Sequence, residues 1–129
     1  MPATPCPCGS ALSFDECCGP LLAGQRRAAT AEQLMRSRYS AYVSRNRAYL
    51  EATWHADTRP SDLDLESSPA PHWTGLSIVD TSRGQAGDSE GTVEFVARYK
   101  LNGRAHRIHE ISRFVRVDGR WLYLAGKLQ

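Results

Sequence analysis

The four cysteines of this 129-residue chain all fall between positions 6 and 18, in the segment CPCGSALSFDECCGP. No other feature of the sequence restricts the possible folds as sharply. Residues 1–25 are too few to bury a core of their own, so they need a covalent tie, a metal ion or a host surface. One residue separates Cys6 from Cys8, eight follow, and then come the neighbours Cys17 and Cys18. Two sulfurs flanking a single residue can chelate an ion from a tight turn, in which Pro7 restricts the backbone and Gly9 lets it approach the sulfurs. Ser13 with Glu16 three places later has the pattern of a capping box. It predicts a short helix that carries Cys17 and Cys18 to the far side of the ion, and Gly19-Pro20 is expected to end that helix.

Disulfides, redox or iron–sulfur chemistry, and simple burial are the alternatives for four crowded thiols. Four cysteines allow three disulfide connectivities, and a bond between adjacent Cys17 and Cys18 is strained. The opening MPATPCPCGS has no basic start followed by an apolar run, so it does not read as a signal peptide. No stretch approaches the ~18 apolar residues of a spanning helix, and membrane insertion is not expected. The expected location is the cytoplasm, where thiols stay reduced and structural disulfides are rare. Spacing and compartment together favour one structural zinc ion on Cys6, Cys8, Cys17 and Cys18. Sulfur at all four positions leaves no place for a reactive water, so hydrolysis at the metal is not expected.

The remaining residues, 26–129, are enough for one domain with a core of its own. GPLLAGQRRAAT reads as a connection, and helix is predicted from Thr30 to His55. Thr30 and Gln33 fit a capping box, and Leu34, Met35, Tyr39, Tyr42 and Val43 form one apolar stripe. Asn46 restarts the helix, with Tyr49, Leu50, Thr53 and Trp54 on one side. A helical turn capped by Ser61 is expected in SDLDLE, before SSPAP breaks it. Strands follow at 73–80, 92–101, 104–117 and 120–126, with a loop over 81–91. Asn102-Gly103 and Asp118-Gly119 are strong hairpin signals, because both turn positions need positive φ. The pattern is α+β, with helices laid on one face of an antiparallel meander.

CPCGS…CCG resembles the SEC-C motif, the small zinc-binding segment at the C-terminus of the SecA preprotein translocase ATPase. The sequence departs from that motif at Ala11, where glycine is usual, and keeps every ligand. CCGPLLAG, AEQLMRSRYSAYV, YLEATWH, TRP and HEISRFVRVDGRWLY resemble the YchJ-like family over nearly the whole chain. That likeness implies a SEC-C segment over residues 1–25, followed over 26–129 by a cone-shaped domain of the nuclear transport factor 2-like (cystatin-like) kind. It implies a metal and a fold, and no reaction.

Charge is uneven although the formal net charge is only +2. Arg26, Arg27, Arg36, Arg38, Arg45 and Arg47 face the single acid Glu32 within residues 25–50, whereas residues 57–90 are strongly acidic. Such asymmetry can mark a surface for an anionic partner. The SecA likeness implies a partner-binding module, so a protein or ribonucleoprotein partner is expected on those arginines, with nucleic acid as a further option. In this reading the zinc-closed segment projects as a knob, and loss of the ion loosens residues 1–25 only. The alternative is a small-ligand binder or enzyme that uses the interior of the cone. A pocket of His55, Asp57, His109 and Arg113 is its candidate site, suited to acid–base work or an anionic ligand. Strand alternation puts His109 and Arg113 on one face and His106, Ile108, Glu110 and Phe114 on the other. HRIHE lacks the order of a metalloprotease H-E-x-x-H, and the chain has no Gly-rich phosphate loop or nucleophile elbow.

Overall fold

The computed structural model describes residues 4–61, 63, 65 and 70–129. In chain order it contains a 3-10 turn (Phe14–Glu16), helices α1 (Cys18–Leu22), α2 (Ala31–Ser44) and α3 (Arg47–Ala52), and strands β1 (His72–Arg83), β2 (Glu90–Leu101), β3 (Arg104–Val117) and β4 (Arg120–Leu128). The strands form one antiparallel meander in the order β1-β2-β3-β4. The chain is α+β, as its sequence predicts.

Local chemistry starts and stops most elements where the sequence marks them. The Thr30 hydroxyl accepts from the Gln33 N–H at 3.1 Å, and the Gln33 side chain accepts from the Ala29 N–H at 2.9 Å. Arg45 leaves α2 in the left-handed region (φ 56°), and the Asn46 side chain restarts the helix by accepting from the Tyr49 N–H at 3.1 Å. Asn102-Gly103 (φ 53° and 76°) and Asp118-Gly119 (φ 52° and 77°) are positive at both positions, which matches the twist of the strands they join. The β1–β2 connection is shorter than expected, since β1 runs on to Arg83 and β2 begins at Glu90. Part of the predicted turn at 61–66, namely 62, 64 and 66, lies outside the described residues.

Register shifts in β1 between Trp73 and Gly75 and between Ile78 and Asp80, and in the β3–β4 pair at Arg113/Phe114, bend the sheet. The curved inner face receives α2, so that Leu34, Met35 and Tyr39 share one core with Leu76, Val93, Phe95, Ala97, Phe114 and Trp121. The helix does not behave as a simple two-sided element. Val43, assigned to the apolar stripe, is 38% exposed, whereas Ser37, Arg38, Ser40 and Ala41 are buried. The reason is that α2 is covered from three sides. The sheet takes one, and α3 another, through a 2.6 Å hydrogen bond between the Ser37 and Tyr49 hydroxyls. The cysteine segment takes the third, where Cys6 Sγ lies 3.7 Å from Ser40 Oγ. Cys6, Cys8 and Cys18 therefore belong to the same core cluster as Leu34 and Met35, and the segment is seated on the domain rather than projecting from it.

Candidate metal centre and interior cavity

Residues 4–14 double back on themselves. Pro5 bridges Ser13, the Cys6 N–H donates to the Leu12 carbonyl at 3.0 Å, and the Phe14 N–H donates to the Thr4 carbonyl at 2.8 Å. At the bend the Gly9 N–H donates to the Cys6 carbonyl at 3.2 Å, and Gly9 (φ 77°) and Ala11 (φ 72°) both take left-handed backbone. The expected Ser13–Glu16 capping box does not form, because Ser13 makes no side-chain cap bond. A 3-10 turn runs only to Glu16, Cys17 breaks it at φ −121°, ψ −100°, and α1 begins at Cys18. A kink between two helical pieces, not one continuous helix, thus presents the two sulfurs. Gly19-Pro20 does not end a helix but lies in the first turn of α1, where the missing proline N–H has no intrahelical partner to lose. A Cβ on Gly19 would sit 2.8 Å from the Phe14 carbonyl oxygen, so glycine allows the two pieces to close.

This backbone brings the four sulfurs within 4.8 Å of one another. Cys8 and Cys17 Sγ are 3.6 Å apart, and Cys17 and Cys18 Sγ 3.9 Å. A tetrahedral ion with bonds of about 2.3 Å to sulfur needs edges of about 3.8 Å. All four thiols are free. A hydrogen bond from Cys18 is the main cause that pulls the Cys8 thiol down to about 4, against its burial. Burial pushes Cys17 up, and the hydrogen bond to Cys8, followed by burial, pushes Cys18 up. One thiolate is accommodated; four at once require a cation, so the donor set fits a thiophilic metal ion. The surroundings are ready for that charge. The Ser10 hydroxyl donates to Cys17 Sγ at 3.1 Å, and Arg36 Nη1 donates to the Cys8 carbonyl at 2.8 Å while lying 4.0 Å from Cys8 Sγ. Burial acts against the Arg36 charge, but Glu32 at 3.0 Å and then Cys8 outweigh it.

Comparison with known proteins agrees with this arrangement. Residues 4–20 match the SEC-C motif, and residues 30–126 match the family described as YchJ, middle NTF2-like domain. The chain belongs to the YchJ-like family. A UPF0225 protein of Ralstonia nicotianae is 52% identical, covering 98% of this chain and 93% of the relative. A UPF0225 protein of Streptomyces coelicolor is 50% identical over 98% of both chains. The solution structure of a SEC-C motif containing protein from Rhodopseudomonas palustris superposes with a TM-score of 0.82 at 38% identity, over 95% of this chain and 96% of that one. A crystal structure of a SEC-C motif containing protein from Psychrobacter arcticus gives 0.76 at 27% identity, over 100% and 84%. In this family member no helix among the described residues is long and apolar enough to cross a membrane.

The structure does not assemble the predicted pocket of His55, Asp57, His109 and Arg113. His55 Nδ1 and Asp57 Oδ2 lie 3.7 Å apart just after α3. His109 lies on the outer face of the sheet, its Nε2 2.6 Å from Glu94 Oε2, and Arg113 is exposed. None of the four lines the interior cavity, a space of about 230 Å³ between α2 and the sheet. Alternation along β3 instead turns Glu110 and Ser112 inward, beside Arg38, Tyr42, Trp54 and Tyr123. The Ser112 hydroxyl donates to Glu110. The Tyr123 phenol is pushed up to about 12, by burial first and by the Glu110 carboxylate second. Arg38, expected on a partner surface, is 3% exposed. Its Nη1 donates to the Leu50 carbonyl at 2.9 Å and the Thr53 hydroxyl at 2.7 Å, and its guanidinium lies 4.8 Å and 4.7 Å from the Trp54 and Tyr123 ring centres. Its position was readable in the sequence. Arg38 stands four places after Leu34 and four before Tyr42, inside the apolar stripe.

The other arginines of the predicted surface separate. Arg36 is half-buried at the thiols, while Arg26, Arg27, Arg45 and Arg47 are exposed. Arg26 and Arg27 line a groove of about 480 Å³ between α1 and α3, together with Arg120 of β4 and with Leu21, Ala48 and Trp121. Arg45 belongs to a separate cleft beside Tyr42 and His72. A further cationic patch was not read from the sequence: exposed Arg98 and Arg107 are direct cross-strand partners on the outer face. Their equal distance from the Asn102-Gly103 turn is the signal that places them there.

Proposed function

We propose that this YchJ-like protein is an interaction module, folded around one structural zinc ion, that receives an acidic protein segment in the groove between α1 and α3. The groove itself carries the reading. Arg26, Arg27 and Arg120 line it, no Asp or Glu is among its wall residues within the described part of the chain, and Leu21, Leu34, Ala48 and Trp121 are among its apolar members. Arginine forks pair bidentately with carboxylates, and Leu21, Ala48 and Trp121 suit side chains rather than a phosphate backbone. Cys18 opens α1, so the ion would hold one wall of the groove in place. Four thiolates in a closed tetrahedron suit zinc in a structural role, and the resemblance to a partner-binding SEC-C segment supports the same reading.

The test is a titration of metal-loaded protein, followed by NMR, with a peptide of alternating Glu and Leu and with single-stranded RNA of mixed sequence. The peptide is expected to move the Trp121 indole signal. Reversing Arg26 and Arg27 together to Glu should weaken binding by about tenfold or more, and reversing Arg98 and Arg107 should leave it unchanged. Absence of peptide binding, or binding insensitive to the Arg26/Arg27 reversal, would overturn the reading. So would tight RNA binding that falls steeply with salt, the mark of phosphate contacts.

A further inference from the structure

Arg38 is the most deeply buried charge among the residues of the interior cavity, and it makes no salt bridge among the described residues. Buried charges are ordinarily paired, because desolvation otherwise costs several kcal/mol. Its guanidinium donates through Nη1 to the Leu50 carbonyl and the Thr53 hydroxyl and rests against the Trp54 and Tyr123 rings, and no carboxylate pairs with it among the described residues. Burial pulls its pKa below the ordinary value, with nearby tyrosines opposing the shift ahead of Glu110. A second, independent observation points to the same space. The Trp54 indole N–H is buried with no acceptor among the described residues, and Trp54 is another wall of the cavity. Arg38 and Trp54, a buried cation and a residue whose N–H calls for an acceptor, therefore line one chamber, whose other walls include Trp73 and Tyr123. On β3 the chamber also holds the Glu110 carboxylate, an acceptor.

We infer that the cavity binds a small, flat monocarboxylate, its carboxylate on Arg38 and the Trp54 indole N–H, its ring between the aromatic walls, and a hydroxyl or amino group donating to Glu110. Size restricts the class. About 230 Å³ is below the ~300–1,000 Å³ of sites for larger organic ligands, so the part of a ligand that the chamber holds is a single ring. The site lies on the inner face of the sheet, apart from the groove on α1 and α3, and stands or falls without it.

The experiment uses metal-loaded protein with benzoate, 4-hydroxybenzoate and 4-aminobenzoate, each paired with its uncharged amide, and follows the assigned Trp54 indole N–H by NMR alongside thermal stability. At least one acid should shift the Trp54 signal saturably and raise the Tm. Its amide should bind about tenfold more weakly or worse, since it cannot form charge-assisted hydrogen bonds with Arg38. Ala97, another wall residue, supplies a variant that leaves the polar groups intact. Ala97→Leu fills the chamber and should abolish the shift while the spectrum stays that of a folded protein. Should no acid move the Trp54 signal up to its solubility limit, the inference is overturned. Equal binding of acid and amide, or a folded Ala97→Leu protein that still binds, overturns it too.

Discussion

Ala11 is where one side chain most clearly departs from what its backbone prefers. The resemblance to the SEC-C motif flags this position as one where glycine is usual, and the structure gives the reason: φ is 72°. Left-handed backbone costs a residue with a Cβ about 1–2 kcal/mol. Ala11→Gly is therefore expected to stabilise the metal-loaded protein by about 1 kcal/mol, after allowing for the greater freedom of glycine in the unfolded chain. Thermal denaturation should show a Tm higher by roughly 3–5 °C, and an unchanged or lower Tm would mean the turn tolerates alanine without strain. Gly9 two residues earlier shares this backbone (φ 77°), but a Cβ there would also meet the Leu76 carbonyl at 3.2 Å. Arg38 teaches the complementary lesson. Composition assigned it to a charged surface, whereas its place in the helical stripe pointed inward, and packing decided in favour of the stripe.

At the scale of elements, the hairpins and the start of α2 were legible because each depends on two or three neighbouring residues. Thr30 with Gln33, Asn102-Gly103 and Asp118-Gly119 act through their own backbone. The α1 segment was misread for the opposite reason. Gly-Pro both terminates helices and is compatible with their first turn, and only the contact of Gly19 with Phe14 decides between the two. Gly19→Ala tests that contact. The added Cβ would lie 2.8 Å from a backbone carbonyl, which cannot yield as a flexible side chain can. Chemical denaturation is expected to show a loss of about 1–3 kcal/mol. Competition with a chromophoric chelator should show faster metal loss, because Cys18 moves with α1. Unchanged stability and metal retention would mean that the 3-10 turn shifts freely and glycine is not required.

For the whole molecule, the shared core changes what metal loss should do. Cys6, Cys8 and Cys18 pack in one cluster with Leu34, Met35 and Tyr39, so the expectation that only residues 1–25 loosen does not carry over. A structural zinc site contributes on the order of 10 kcal/mol, comparable to the ~5–15 kcal/mol net stability of a whole domain. Protein as isolated is expected to carry about one zinc ion per chain. On chelation the near-ultraviolet signal of buried Trp121 should be lost in a single cooperative transition together with the amide protection of residues 4–20. A chelated protein whose β-sheet keeps its native spectrum while only the cysteine segment loosens would show that the two parts are energetically separate.

The sequence by itself determined the four-cysteine cluster that could hold a metal, the order of helices and strands, and the hairpin turns of β2–β3 and β3–β4, because thiol spacing, capping and turn chemistry act within a few residues. It also placed Glu110 on the face opposite His109, through the two-residue repeat of a strand. Tertiary structure alone decided where the cysteine segment rests and which charge lies in the cavity. It also decided which arginines share a groove. These depend on how far the sheet bends around α2 and on what covers the helix from its third side, and those are properties of residues distant in the chain meeting in one core.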